Sequence, residues 1–470
     1  MHVLKRHLAL IGFMGAGKST VGDEVAGRIG RPFRDLDREI EAALNTSIAS
    51  YFAEEGEEAF RKHEVAATVA ALRDPKPAVL ALGGGAVTTA AVRDELARSA
   101  VTVLLEVDIE TAWERASGED RPLAQERGAF VALFDQRQPV YREAADTVAH
   151  DADDAVLAAA GVRVEPGLLE RLGELVPGDG PIALVTDSQV AGIHGADAQV
   201  GLRERLVSTH EVGGKSLSDL EALWRSLELD RSGTIVALGG GTTTDVAGFA
   251  AATYLRGVDW VAVPTTLVGQ VDAAIGGKTA IDLPEAKNLA GAFHWPAATV
   301  IDPALLQTLP ERERTGGLAE VMKTGLLAGE PLWELPEAEQ VRRCAAFKTA
   351  VCLRDPHERG ERRMLNLGHT FAHALETASG YTVPHGEAVG LGLLAALRLS
   401  GLATDEVENV LSPKPVRVDR ERAWAALRRD KKTSRGTPRV VLLEAPGRAL
   451  IDVDVPEEDI RRELEALIAE

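Results

Sequence analysis

Cysteine is nearly absent from this chain of 470 residues: Cys344 and Cys352 are the only two. That excludes a disulfide framework and predicts reduced thiols in a cytoplasmic protein. Aromatic residues supply only 4 % of the chain, whereas Ala and Gly are abundant. Positive charge is in deficit, with 52 Lys and Arg against 72 Asp and Glu, a formal net charge of −20. Such a surplus disfavours a nucleic acid or an anionic membrane as partner. It does not exclude small anionic substrates, which a local Lys/Arg cluster can hold. No apolar run approaches the length of about 18 residues that a membrane span needs. The opening MHVLKRHLALIGFMG has basic residues before a short apolar run, as a signal peptide does. That run leads directly into a Gly-rich loop, which makes it a buried strand instead.

Apolar residues make up 45 % of the chain, enough for sizeable cores, and the length predicts two to four domains. Strands are expected at HLALIGF, PAVLALGGG and VTVLLEV, with helices between them such as EEAFRKHEVAATVAAL. Alternation of strand and helix means a parallel α/β sheet. The pattern fades in HDADDAVLAAAG (150–161), an acidic, Ala-rich stretch read as a junction. A second α/β series follows in IALVTDS, GTIVALGGG and DWVAVPTT. Beyond Pro303 strand signals nearly vanish, so the remainder reads as α-helical. The expected domains are therefore 1–155, 161–302 and 303–470.

Gly12-x4-Gly17-Lys18-Ser19 fits the phosphate-binding loop of a P-loop domain, and it lies between a strand and a helix as that loop must. Gly12, Gly15 and Gly17 let backbone N–H groups curl round phosphate oxygens at the positive end of a helix. Lys18 would reach the β- and γ-phosphates of ATP. Ser19 would bind Mg²⁺, with Thr20 beside it. Downstream stand Asp35 and Asp37 in FRDLDREIE, Arg61 in GEEAFRKHE, Gly83 to Gly85 in LGGGA, Arg121 in RPL and Arg137 in RQPVYREAA. This order, over roughly 6–160, closely resembles shikimate kinase. The resemblance implies that Asp37 holds shikimate hydroxyls and that Arg61 and Arg137 clamp its carboxylate, for which bidentate guanidinium forks are suited. It places backbone at Gly84 and Gly85 against the ring, Arg121 on a lid over the nucleotide, and Asp35 near Mg²⁺. Phosphoryl transfer asks mainly for positioning and charge neutralisation, which Lys18, Arg121 and Mg²⁺ would provide.

The second α/β series carries ALGGGTTTDVAGFAA (237–251), a Gly-rich turn after a strand and before a helix, without the Lys of a P-loop. It suits a pyrophosphate at a helix N-terminus. Asp272, Lys278, Lys287 and Asn288 follow among many Gly and Thr, as a site for a phosphorylated, polyhydroxylated substrate would require. Metal candidates come next: Glu320 with Lys323 in GGLAEVMK, His369 and His373 in LNLGHTFAHALE, and His385 and Glu387 in VPHGEAVG. A catalytic zinc takes three protein ligands and keeps a position open. Composition leaves open which three.

From about 161 to 470 the chain resembles 3-dehydroquinate synthase, through GGGTTTDVAGF, RG, VPTTLVGQVDAAIGGKTAID, KNLAGAFHWP, GGLAEVMK, LNLGHTFAHALE, HGEAVG and RRDKK in order. The resemblance implies a Rossmann-like NAD-binding part followed by an α-helical metal-binding part. It makes Glu320, His369 and His385 the ligands of Zn²⁺ or Co²⁺. It sets NAD⁺ against Gly239, Gly240 and Gly241, with Asp187, Asp245, Thr265, Thr266 and Lys287 nearby. The substrate would be 3-deoxy-D-arabino-heptulosonate 7-phosphate, at Asp272, Lys278, Asn288, Lys348, Arg362 and Asn366. Arg256 and Lys431 of DKK would lie near its phosphate. His373, one turn from a ligand, would move protons, with Lys323, Lys278 and Arg256 as further catalytic groups. In the implied reaction NAD⁺ takes a hydride and returns it, phosphate leaves, and an aldol closure forms the carbocycle, with no net redox.

One departure touches the cofactor. The family has Gly-Glu-x-x-Lys where this chain reads HEVGGKS, so alignment on Lys215 puts Val212 in place of a ribose-binding Glu. Neighbouring Glu211 is the candidate substitute. The synthase's usual first strand is missing or merged into the junction. The whole reads as a fusion of two enzymes at non-consecutive steps of the shikimate pathway, with small-molecule substrates and a homodimer through the synthase part. The alternatives are another sugar-phosphate cyclase or a polyol dehydrogenase in the second half, or a non-catalytic first half.

Overall fold

The computed structural model describes residues 3–117, 124, 126–429 and 439–469. Arg121 and Lys431 lie outside the described residues. The chain divides into two compact units between Val162 and Arg163.

The first unit is built on a five-stranded sheet in the order β2-β3-β1-β4-β5. Its strands are β1 His7–Ile11, β2 Phe33–Asp35, β3 Val79–Ala81, β4 Ala100–Leu105 and β5 Thr147–Ala149. All pairings are parallel. Every residue of β1 and of β4 is buried, as expected of strands covered by helices on both faces. Leu8, Leu10 and Ile11 are at most 1 % exposed, and burying each contributes about 1.5–3 kcal/mol. The helix Lys18–Ile29 ends at Gly30, whose φ of 67° is the left-handed cap that glycine adopts without strain.

The stretch read as a junction is part of this core. Residues Ala152–Ala159 form a helix in which only Asp154 is not buried, packed on the helix Lys18–Ile29. Each of its acidic residues has a local partner. Asp151 caps the helix, Asp153 accepts from Arg28 Nη2 at 2.5 Å, and Asp154 accepts from the His150 amide. A run of carboxylates that looks like a solvated linker is here a capped and neutralised helix.

The second unit has a six-stranded sheet in the order β6-β13-β10-β9-β7-β8. These are β6 Val162–Val164, β7 Ile182–Thr186, β8 Leu206–Glu211, β9 Thr234–Gly239, β10 Asp259–Pro264 and β13 Ala298–Ile301. The pairings from β13 to β8 are parallel. β6, at the edge of this sheet beside β13, follows the helix Ala152–Ala159 with only a short turn between. Between β10 and β13 runs an antiparallel hairpin of β11 Lys278–Leu283 and β12 Ala286–Phe293. A helical region follows, with Glu311–Ala328, Glu337–Arg354, His369–Ala378 and His385–Leu399 as its main members. It is not wholly helical. RVVLLEA forms β14 Arg439–Ala445, paired antiparallel with β15 Arg448–Asp454 across a turn at Pro446-Gly447. The apolar run before a Pro-Gly turn is the sequence signal for it.

Both cysteines lie buried on the helix Glu337–Arg354. Burial pushes the Cys344 thiol up to about 12 and raises Cys352 as well. Reactivity follows the thiolate, so the native protein is expected to resist a thiol reagent and to react at both residues in denaturant. Rapid labelling of the native chain would contradict this packing.

Two candidate active sites

In a parallel sheet, ligands bind at the carboxyl ends of the strands where the connections reverse direction. In the first unit that point follows β1, between β3 and β4. The loop from Gly12 to Gly17 crosses it. Gly15 has φ 82°, and a Cβ there would lie 2.6 Å from the Ala112 carbonyl oxygen, so only glycine lets the loop pass. Lys18 folds back over the loop, and its Nζ donates to the carbonyls of Gly12 (2.9 Å) and Phe13 (3.1 Å). Ser19 Oγ donates to Asp35 Oδ2 at 2.6 Å. Asp35 also caps the helix Leu36–Leu44, which carries Asp37 in its first turn.

The loop after β3 stands beside this one. Arg137, though buried, donates from Nη1 to the Gly84 carbonyl at 3.3 Å, and Tyr141 donates to the same oxygen at 2.6 Å. The Arg61 guanidinium covers Gly85 so closely that a Cβ at that position would collide with it. Arg61 is held by Glu64 at 2.6 Å and Glu57 at 2.7 Å. Burial works against its charge, but the two carboxylates outweigh burial and raise its pKa. Lys18, Ser19, Asp35, Asp37, Gly84, Gly85, Arg61 and Arg137 thus gather round neighbouring strand ends. Sequence reasoning misses Glu64 and Tyr141. Glu64 stands at i+3 from Arg61, and that spacing is the available signal.

In the second unit the connections reverse between β7 and β9, and a cleft of about 1500 Å³ opens there. Gly240 caps the helix Gly241–Thr253 without a side-chain bond, leaving its positive end open toward the cleft. Asp187 caps the helix that follows β7 and accepts from Thr243 Oγ1 at 3.3 Å. Asp245, Thr265, Thr266 and Lys287 also line this cleft, whereas Gly239 ends β9 behind it.

The deeper half of the cleft concentrates charge. Lys323 Nζ lies 2.5 Å from Glu320 Oε2 and 3.1 Å from Asp272 Oδ1. Lys348 Nζ donates to the Asp272 carbonyl at 2.7 Å and lies 2.9 Å from its Oδ1. Burial would raise Asp272, but the two ammonium groups hold its carboxyl down at about 2. Lys278 pairs with Glu358 at 2.6 Å; burial lowers its pKa, opposed by that carboxylate. Asn366 Nδ2 donates to Glu358 Oε1 at 2.9 Å. Arg362 is 1 % exposed and donates to the carbonyls of Gly276 and Pro356. Its Nε has no hydrogen-bond partner among the described residues, so the guanidinium keeps capacity for an anion. Asn288 accepts at 2.5 Å from Lys215, which also pairs with Asp245 at 2.8 Å.

Glu320, His369 and His385 converge at the floor. One donor atom from each lies within 4.8 Å of the others, and among the described residues they form the one such metal-capable group. Glu320 Oε1 stands 3.0 Å from His385 Nε2 and 3.4 Å from His369 Nε2. His369 Nδ1 faces the Leu367 carbonyl at 3.1 Å. A carbonyl only accepts, so Nδ1 carries the proton and Nε2 keeps its lone pair. Burial would raise Glu320, but Lys323 and the imidazoles keep it well below the usual carboxylate range. Burial would lower His385, yet Glu320 and Glu376 lift it to about 10. His373 is exposed in the cleft with its ring 5.5 Å from that of His369, outside the group.

Within one chain, two of the expected residues do not join the cleft. Arg256 does not line the cleft. It is exposed and follows the far end of the helix Gly241–Thr253, about 20 Å from the Gly loop at 1.5 Å per residue. Glu211 does not line the cleft either. Along β8 burial alternates, and Glu211 falls on the exposed side, while Val212 is 7 % exposed and lines the cleft. A side-chain period of two decides this, since adjacent strand residues point to opposite faces. Sequence reasoning also misses Lys215, Glu358 and Glu376 as members of the site. Glu376 ends HTFAHALE at i+7 from His369, on the same helix face.

Comparison with known proteins agrees with both halves. The family model for shikimate kinase matches residues 14–162. Those for the N-terminal and C-terminal parts of 3-dehydroquinate synthase match 208–316 and 317–433. The 3-dehydroquinate synthase of Symbiobacterium thermophilum is 39 % identical over 347 residues, 65 % of this chain and 97 % of that protein. Among solved structures, a 2-deoxy-scyllo-inosose synthase shares the fold of the second unit, with TM-score 0.60 at 23 % identity over 65 % of this chain and 96 % of that one. A 2-epi-5-epi-valiolone synthase from Streptomyces hygroscopicus subsp. jinggangensis gives 0.58 at 26 % identity, over 65 % and 96 %. The chain belongs to the 3-dehydroquinate synthase family and carries a shikimate kinase domain ahead of it, which makes it a bifunctional enzyme of the shikimate pathway.

Proposed function

We propose that the second unit works with NAD⁺ and a divalent metal ion, Zn²⁺ or Co²⁺, held by Glu320, His369 and His385. The observation that carries this is the convergence of one carboxylate and two imidazoles beside the open helix end at Gly240. Such a donor set fits a three-ligand catalytic site with a free position. The valiolone synthase structure holds NAD⁺ and Zn²⁺. When bound, the ion supplies Lewis acidity to a nearby hydroxyl and NAD⁺ supplies reversible oxidation.

The chain's own groups do the rest. Asp272, kept ionised by Lys323 and Lys348, accepts from a substrate hydroxyl. Lys278, Lys348 and Arg362 surround the anionic ends of the heptulosonate phosphate and favour departure of phosphate. Asn288 and Asn366 orient its polar atoms. His373, exposed one turn above His369, shuttles the proton. Glu358, shared by Lys278 and Asn366, sets the position of both. In the kinase unit Lys18 neutralises the transferring phosphates of ATP, and Ser19 with Asp35 provides the Mg²⁺ position. Arg61 and Arg137 take the shikimate carboxylate while Asp37 takes its hydroxyls. We place the enzyme in the cytoplasm, as a dimer through the synthase unit, acting on small molecules; sedimentation reads the dimer. Metal analysis and NAD⁺ titration of the full chain test the cofactor reading. Expected is one ion and one dinucleotide per chain, and a chain that binds neither contradicts it.

Asp272 also sets an acid limit. Its folded pKa lies below the ordinary value, so its ionisation favours the folded state above that value, and the benefit is lost as pH falls through about 2. The stability gap between wild type and Asp272→Asn in urea is expected to be large at neutral pH and to shrink in acid. A gap independent of pH would contradict it.

A further inference from the structure

Glu376 is a buried carboxylate of the cleft that the reaction above leaves without a role. It is 5 % exposed and shares one face of the helix His369–Ala378 with His369 and His373. Its Oε1 lies 3.5 Å from His385 Nδ1 and 3.6 Å from Lys287 Nζ. His385 therefore stands between two carboxylates, with Nε2 toward Glu320 at 3.0 Å and Nδ1 toward Glu376.

The two imidazoles of the group are oriented differently. His369 has its Nδ1 held by the Leu367 backbone, which no substitution of a side chain removes. For His385 the acceptor facing Nδ1 is Glu376 alone among the described residues. An imidazole that offers Nε2 to a cation must carry its proton on Nδ1, and a carboxylate there fixes the tautomer, aims the ring and strengthens the donor. Lys287 supplies the opposite charge near the same Glu376 oxygen, its ammonium 4.2 Å from the Tyr381 ring centre.

We propose that Glu376 is a positioning residue of the metal centre, holding His385 by Nδ1 so that Nε2 meets the same point as Glu320 and His369. This rests on the metal reading above. It assigns the last residue of HTFAHALE a part in metal affinity, which a carboxylate serving Lys287 alone would not have.

The test is Zn²⁺ affinity of the full chain, measured by competition with a chromogenic chelator, for wild type, Glu320→Gln, Glu376→Gln and Glu376→Asp. Circular dichroism checks the fold, and the visible spectrum of the Co²⁺ form reads the coordination. Glu376→Gln is expected to weaken Zn²⁺ binding roughly 10- to 100-fold and to shift the Co²⁺ spectrum. Glu376→Asp, whose carboxylate is one methylene further away, is expected to lose less. Wild-type affinity in a folded Glu376→Gln chain overturns the proposal. If that variant does not fold, wild-type affinity in Glu376→Asp overturns it instead. Unchanged Zn²⁺ binding in Glu320→Gln would be a different failure, that of the metal site itself.

Discussion

Glu320→Gln is expected to lower phosphate release from the heptulosonate phosphate by about 10²- to 10⁴-fold, the weight of several kcal/mol of Lewis-acid stabilisation. Shikimate phosphorylation by the same chain should not change. The size follows from where Glu320 stands. It is fully buried, and its two oxygens face both imidazoles and the Lys323 ammonium. An amide keeps the volume but cannot neutralise a cation as the carboxylate does. Lys323 would also lose one of its two carboxylate partners, so some loss of stability accompanies the loss of activity. Gln is therefore a better probe than Ala, and the thermal midpoint should be read alongside. A variant that keeps full phosphate release would show that the chemistry runs elsewhere in the cleft.

Lys18→Met is expected to cost the kinase about 10²- to 10³-fold in kcat, the usual effect of removing one group that neutralises transition-state charge. Lys18 is fixed at both its backbone and its side-chain end. Its backbone begins the helix behind the loop, and its Nζ lies over the carbonyls of Gly12 and Phe13 where phosphates would enter. Methionine fills the same path without charge, so the loop should keep its shape. Synthase activity should be untouched, because among the described residues none that lines its cleft comes from the first unit. Coupled ADP release at saturating shikimate measures the loss. Retention of near wild-type kcat would mean that the loop binds phosphate without serving its transfer.

Much of the fold and of both sites is legible in the sequence because motifs fix short-range geometry. The P-loop follows a buried strand and opens a helix, as its glycines require. HTFAHALE presents His369 and His373 on one face because the helical period is short. What sequence does not supply is the third dimension. Glu320 and His385 lie on different helices, and only packing brings them to His369. Arg256 follows the same helix that Gly241 begins, and a straight helix carries it away from the cleft. Glu211 and Val212 differ by one residue, and strand alternation sends the carboxylate to the other face. The 150–161 stretch passes for a linker because capping and ion pairing hide the carboxylates of Ala152–Ala159. The hairpin of β14 and β15 escapes a sequence reading because it is a short break between the helices Arg420–Arg429 and Glu457–Ala466 in a region whose main members are helical.

The most direct test is a progress curve for the full chain with the heptulosonate phosphate and NAD⁺, following phosphate and reduced nicotinamide together, with and without a chelator. The account predicts many phosphates released per chain, no net accumulation of reduced nicotinamide, and arrest by the chelator that Zn²⁺ reverses. Reduced nicotinamide rising in step with turnover, or phosphate release indifferent to the chelator, would contradict it.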